Sequence, residues 1–356
     1  MGPVPSQAAA SAPSQAAGSL PASPVASTSS PPASPASSPS KPGFLAASGT
    51  SFVLDGAPFS FSGFDIYQAN SRTNCSYTMG TGPALDRALA SIGPTHRVFR
   101  AWFFQYLATR NGVRDWSAFD HTLAVAAAHG DKVIVTLGNE WGSCESRRSV
   151  VKTVGWYETG YRTEVLPGTT VPYRAWVAEV VARYAHDPTV AMWQLMNEAE
   201  TRIDGSACGP ADVLRTWAAD VSALVKRLDP DHLLNVGTGG DQCGARGSDY
   251  AGLYALPTVD VCEYHDYGHD ATPLPSAVAD DIAACEVLGK PIFAGEVGIR
   301  AADAGGARAR SRELLAKDQA QRAAGIAGFL VWSWSDSPRA GSFEVGPGDP
   351  LLSTAW

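Results

Sequence analysis

Two short apolar runs of this chain end in glutamate: Trp193-Gln194-Leu195-Met196-Asn197-Glu198 and Pro291-Ile292-Phe293-Ala294-Gly295-Glu296. Each reads as a buried strand that delivers a carboxyl group at its C-terminal end, the end where reacting groups stand in an α/β barrel. Two such groups in one mouth can divide the work. One protonates a leaving oxygen while the other attacks the carbon that oxygen leaves. On a glycosidic bond this gives double displacement when the carboxyl groups stand about 5 to 5.5 Å apart. Other polar and aromatic side chains fall at the ends of further apolar runs: Arg100, Asn139 with Glu140, Asn197, His265 with Tyr267, and Trp332. His265 and Tyr267 are two residues apart, so both point to the same side of a strand.

Positioning these groups takes a set of strands, and eight strand signals are legible: Phe59 to Ile66, Thr95 to Ala101, Lys132 to Gly138, Val190 to Met196, His232 to Gly237, Thr258 to His265, Pro291 to Glu296 and Ala327 to Trp334. Helical patterns separate them at Pro83 to Ile92, Trp116 to His129, Tyr173 to Ala185, Ala211 to Leu228, Ser276 to Leu288 and Arg308 to Ala324, with a short one at Asp249 to Ala255. Regular alternation of strand and helix implies parallel strands joined by crossovers. The expected fold is a single α/β (β/α)8 TIM barrel over residues 43–356. A doubly wound open sheet is the alternative, but the first strand runs into Asp65-Ile66-Tyr67-Gln68-Ala69-Asn70 and lacks a Gly-rich nucleotide turn. Residues 1–42 are mostly Ser, Ala and Pro with no charge before Lys41, a composition expected to form a disordered tail or linker.

The ordered set Arg100, Asn197-Glu198, His265-x-Tyr267, Glu296 and Trp332 resembles glycoside hydrolase family 5, the retaining β-glycanases, over the whole of Phe59 to Asp336. The resemblance implies that Glu198 is the general acid/base and Glu296 the nucleophile. It also implies that His265 orients the acid/base or a sugar hydroxyl, and that Trp332 floors the sugar before the cleaved bond. A nucleophile must stay ionised, and Arg100 with the Tyr267 hydroxyl would hold Glu296 charged. The acid must keep its proton, which asks for partial burial beside a negative charge. Asn197 would donate to the sugar 2-hydroxyl. The chain departs from the family pattern after the third strand, where it has Gly138-Asn139-Glu140-Trp141-Gly142, and after Glu198, where Ala199-Glu200 replaces a Pro-containing turn.

Within the family, Arg100-Ala101-Trp102-Phe103-Phe104 looks like the second-strand region of the β-1,4-mannanases, while Trp332-Ser333-Trp334-Ser335-Asp336 also resembles the cellulases. The expected substrate is therefore mannan or glucomannan, with β-1,4-glucan as the alternative. A carbohydrate-binding protein without activity and a surface scaffold are more distant readings. Trp102, Trp141, Trp156 and Trp334 are the rim candidates for sugar contacts, and Trp176, Trp193 and Trp217 read as core.

A net charge of -8 without a basic run argues against nucleic acid as a partner. No apolar stretch is long enough to span a membrane. The ligand sets that metals need are not spaced in the sequence, so neither a metal nor another cofactor is expected. The six cysteines suit disulfides in an exported, monomeric enzyme, with neighbouring loops suggesting Cys75 with Cys144, Cys208 with Cys243, and Cys262 with Cys285. Buried free thiols are the alternative. The first residues lack the charged and apolar regions of a secretory signal, so the export reading expects a start that is processed, trimmed or misplaced.

Overall fold

A computed structural model describes residues 41–71, 79–203 and 207–354. Eight parallel strands form the central sheet: β1 (Phe61–Asp65), β2 (Val98–Trp102), β3 (Lys132–Thr136), β4 (Val190–Gln194), β5 (Leu233–Asn235), β6 (Cys262–Asp266), β7 (Ile292–Val297) and β8 (Gly328–Val331). Their order is β5-β4-β3-β2-β1-β8-β7-β6, and a parallel bridge between Asn235 and Val261 joins the two ends. The sheet is thus a closed barrel, and the open-sheet alternative is set aside.

The strands are shorter than the apolar runs that announce them. The fourth run reaches Met196 but β4 ends at Gln194, and the eighth reaches Trp334 but β8 ends at Val331. The site residues beyond those ends stand on the turns that follow. Phe59 belongs to a different element, a three-stranded antiparallel meander (Leu45–Ser48, Ser51–Leu54, Ala57–Phe59) that the barrel pattern did not reveal. Its Leu45 and Phe52 pack with Phe61, Val98, Ile134, Met192, Leu233, Phe293 and Leu330. The meander therefore plugs the N-terminal end of the barrel with apolar surface.

Among the described residues seven longer helices surround the sheet: α1 (Ala84–Ile92), α2 (Ser117–His129), α3 (Tyr173–Tyr184), α4 (Ala211–Leu228), α5 (Ser248–Tyr254), α6 (Ser276–Leu288) and α7 (Ala307–Ala323), with short helical turns at Trp156–Gly160 and Tyr161–Thr163. In α4 the buried Leu214, Trp217, Ala218, Val221 and Val225 recur at the spacing of one helical face. α2 stops because Gly130 takes the left-handed conformation, φ 73°, that caps a helix with little strain. Among the described residues no helix is long and apolar enough to cross a membrane.

Strand periodicity decides what faces the barrel axis. One layer above the plug, two residues on along each strand, the alternation brings Arg100, Thr136, Gln194, Asn235 and Glu263 into the interior. All are buried, and buried polar groups must find partners. Gln194 supplies several: its Oε1 accepts from Arg100 Nε at 2.7 Å and Thr136 Oγ1 at 2.7 Å, and its Nε2 donates to Glu263 Oε2 at 2.5 Å. This polar layer is the base on which the mouth is built.

Disulfides join Cys208 to Cys243 and Cys262 to Cys285. The first links the loops after β4 and β5, and the second fastens β6 to α6. Cys144 is also disulfide-bonded, whereas Cys75, its expected partner, lies outside the described residues.

Candidate active site

Arg100 organises the mouth from below. Its Nη1 donates to Glu296 Oε1 and to Asp65 Oδ1, each at 2.8 Å, and its Nη2 donates to Asn197 Oδ1 at 2.5 Å. The Tyr267 hydroxyl donates to the other Glu296 oxygen at 2.5 Å. Glu296 thus accepts from two donors at the end of β7, where the β7 register shifts against both neighbouring strands. Burial pushes its carboxyl above the ordinary value, while the charges of His265 and Arg100 pull it back.

Glu198 stands on the turn after β4 with φ 53°, a left-handed conformation that is uncommon for a residue with a side chain. Two backbone hydrogen bonds hold the turn, Asn197 N to Gly138 O at 2.8 Å and Ala199 N to Gly237 O at 3.1 Å. Asn197 also donates through Nδ2 to Asn139 Oδ1 at 3.0 Å, which leaves its second amide hydrogen for a ligand. The Glu198 carboxyl meets His265 Nδ1 at 2.9 Å through Oε1 and accepts from Trp141 Nε1 through Oε2. Carboxylate oxygens of Glu198 and Glu296 lie within 4.8 Å of each other, close enough for both to reach one anomeric carbon.

The proton order in the free site differs from the sequence expectation. Burial raises Glu198, but the hydrogen bond and charge of His265, with the Trp141 donation, outweigh it and hold the carboxyl below its usual value. Burial disfavours a charged His265, yet Glu296, Glu198 and Glu263 overcome that penalty and raise it to about 10. The sequence placed one negative neighbour beside the acid and no fixed cation. The fold puts an imidazolium in contact with it.

Glu140, one residue from Asn139, is a buried carboxyl outside this constellation. Its Oε2 accepts from the Tyr157 hydroxyl at 2.6 Å, and its Oε1 has no partner among the described residues. Burial raises it to about 8 against the opposing pull of Tyr157 and Lys152. Burial, aided by Asp241 and Asp280, likewise raises Asp281 to about 8. From pH 6.5 to 8 these carboxyl groups and His265 keep protons in the folded protein that the unfolded chain has released. Stability must therefore fall as pH rises through that window, by up to about 1.4 kcal/mol per pH unit for each group. Glu140→Gln removes one such group without emptying its space, so it is expected to raise Tm at pH 8 by several degrees and to change it little at pH 4.5, at roughly 2–4 °C per kcal/mol. Thermal unfolding followed by circular dichroism at both values checks this, and an equal change at both would remove the titration argument.

The aromatic residues divide by depth. Trp332 is half-buried and stacks on Tyr67 at 5.1 Å with the planes 13° apart. Trp102, only 5% exposed, packs behind them against Tyr67, Trp332 and Phe104, so it supports the platform. Trp141 is half-buried at the opposite side, with the Arg202 guanidinium 5.9 Å from its ring. Trp156 and Trp334 are core residues, 3% and 0% exposed, because Trp156 packs among Tyr161, Tyr173 and Trp217 and Trp334 against Phe64 of β1. The sequence reading placed both on the rim. It also passed over Asp65, Gln194 and Glu263, although Glu263 could have been found two residues before His265 on the same strand face.

Parallel barrels with two carboxyl groups facing one another across the C-terminal mouth are a class of glycoside hydrolases, and this fold has that form. The family model described as Cellulase (glycosyl hydrolase family 5) matches residues 95–338, and the chain belongs to that family, a family of retaining glycoside hydrolases. It is 27% identical over 334 residues to mannan endo-1,4-beta-mannosidase A of Podospora anserina, covering 83% of each chain. With the protein of the same description from Emericella nidulans it shares 28% identity over 331 residues, covering 84% of this chain and 80% of the relative. Among solved structures, an endo-1,4-beta-mannanase from Rhizomucor miehei superposes with a TM-score of 0.68 at 20% identity, covering 88% of this chain and 97% of the other. That likeness establishes the shared barrel.

Proposed function

We propose that the protein is a secreted, monomeric endo-β-1,4-mannanase that works by double displacement, with Glu296 as nucleophile and Glu198 as acid/base. Residues 43–356 form its catalytic domain behind the linker 1–42. The observation that carries this is the convergence of Arg100 and Tyr267 on Glu296 with the Glu198 carboxyl within 4.8 Å. That spacing suits a direct attack better than one through water. Export is supported by the disulfides, which persist in oxidising compartments.

Glu296 attacks the anomeric carbon as the bond to the leaving oxygen breaks, and Glu198 delivers the proton that oxygen needs. Water then attacks the glycosyl-enzyme while Glu198 accepts its proton. Asn197, held by Arg100 and Asn139, has a free N–H for the 2-hydroxyl, and the Trp332 face offers an apolar floor for a pyranose ring.

Mannan as substrate is supported by the names of the similar proteins and by the Arg100-x-Trp102-x-Phe104 pattern. The axial 2-hydroxyl of a mannosyl unit must be accepted beside Asn197 and Glu296. The expected kcat/KM on mannohexaose exceeds that on cellohexaose by at least roughly 100-fold, about 2.7 kcal/mol of transition-state discrimination. A second reading, endo-β-1,4-glucanase, is favoured by the description of the matching family model. It predicts the reverse preference, so the two hexaoses decide between the substrates without disturbing the roles of the glutamates.

A further inference from the structure

Glu263 lies beneath the mouth on β6, fully buried, two residues before His265. Its Oε1 is 3.3 Å from His265 Nε2, while the other ring nitrogen, Nδ1, is 2.9 Å from Glu198 Oε1. A neutral imidazole has one N–H, and an imidazolium has two. A ring with an ionised carboxylate oxygen at each nitrogen is therefore satisfied at both ends only when doubly protonated. The neighbouring strand β7 makes room for this. A Cβ on Gly295 would stand 1.7 Å from Glu263 Oε1, so the carboxyl occupies space that any side chain at residue 295 would claim. Gln194 Nε2 fixes the second oxygen at 2.5 Å.

We propose that Glu263 is a positioning residue that keeps His265 an imidazolium, and that His265 is the source of the proton Glu198 delivers to the leaving oxygen. The inference rests on Glu198 being the acid/base. In the glycosylation step a Glu296 oxygen bonds to the anomeric carbon, the bond from that carbon to the leaving oxygen breaks, and the leaving oxygen takes a proton from Glu198. Glu198, a carboxylate at the start, receives that proton from His265 Nδ1 as it passes it on. Before the step the imidazolium and two carboxylates sum to one negative charge. Afterwards a neutral imidazole, one carboxylate and one ester sum to the same. When water attacks the ester, Glu198 takes its proton and passes it back to His265 as Glu296 regains its charge.

The groups that act on the ring are Glu263 on β6, Glu296 on β7, Glu198 after β4 and, at longer range, Asp65 at the end of β1. The Arg100 charge, which opposes a second cation, is shared between Asp65 and Glu296. Glu296, Glu198 and Glu263 together raise His265 against the cost of burial. Esterification of Glu296 removes one of them, so the ring is most acidic just after it has given up its proton.

The test is Glu263→Gln, read in two ways. Imidazole 15N shifts should show the His265 titration moving down by at least about one pH unit, because a neutral amide replaces an anion. The basic limb of kcat/KM on a mannooligosaccharide should move down with it, giving a loss of roughly 5-fold or more at pH 10 and little at pH 5. kcat/KM on a dinitrophenyl glycoside, whose leaving group needs no proton, should keep its profile. A purely structural role would lower both substrates in parallel without moving the limb, and that result, or an unmoved imidazole titration, overturns the proposal. Should the variant not fold, the wild-type ring decides: two protonated nitrogens at pH 8.5 support the inference, and a neutral ring titrating near 6.5 ends it. The imidazole reading needs no turnover, so it separates this inference from the role of Glu198, which leaving-group dependence tests.

Discussion

Glu296→Ala is expected to lower kcat by roughly 10⁵- to 10⁶-fold on every glycoside, activated or not, while near-UV circular dichroism stays that of the parent. The loss is general because the covalent intermediate cannot form, whatever the leaving group. Persistence of the fold follows from what remains around Arg100. Its guanidinium keeps Asp65 at 2.8 Å, Gln194 at 2.7 Å and Asn197 at 2.5 Å, so no buried cation is left unpaired. Removal also relieves the repulsion between Glu296 and Asp65. Added azide is expected to enter the vacated space and give a glycosyl azide of inverted configuration from an activated substrate. A loss smaller than about 100-fold, with the protein folded, would move the nucleophile elsewhere.

Glu198→Ala should instead divide substrates by leaving group. On mannohexaose the departing sugar oxygen needs a proton in the transition state, and kcat/KM should fall by roughly 10³-fold or more. On a dinitrophenyl glycoside the departing phenolate is stable unprotonated, and kcat/KM should stay within about 10-fold of the parent. Hydrolysis of the intermediate still wants a base, so kcat on the activated substrate falls further than kcat/KM, and azide restores it with retained configuration. The same change takes away an acceptor of His265 Nδ1 and of Trp141 Nε1. Equal losses in kcat/KM on both substrates would show that Glu198 does not protonate the leaving oxygen.

The two glutamates and their partners were legible because a barrel strand presents its C-terminal residues to a common mouth, and that needs only the order of apolar runs along the chain. Arg100, Asn197, His265, Tyr267 and Trp332 each follow or end such a run. Where an apolar run continued past its strand, as at Trp334, the chain alone could not separate a rim residue from one folded back into the core. The N-terminal meander was passed over for a related reason. Its strands are short, and their buried side chains gain meaning only against the barrel bottom that they cover.

The sequence by itself determined the alternation of strand and helix, the carboxyl groups at the mouth and the family to which they belong, since all of these follow from local periodicity and residue type. Only the tertiary structure decided the ionisation of the site. Arg100 and Glu296 are 196 residues apart in the chain yet 2.8 Å apart in the fold, and His265 touches Glu198 across a separation of 67 residues. Coulomb energies vary with distance and burial, and neither quantity exists until the barrel closes. The sequence therefore named the acid and the nucleophile as candidates, while the closed barrel decided that a histidine between two carboxyl groups carries the positive charge.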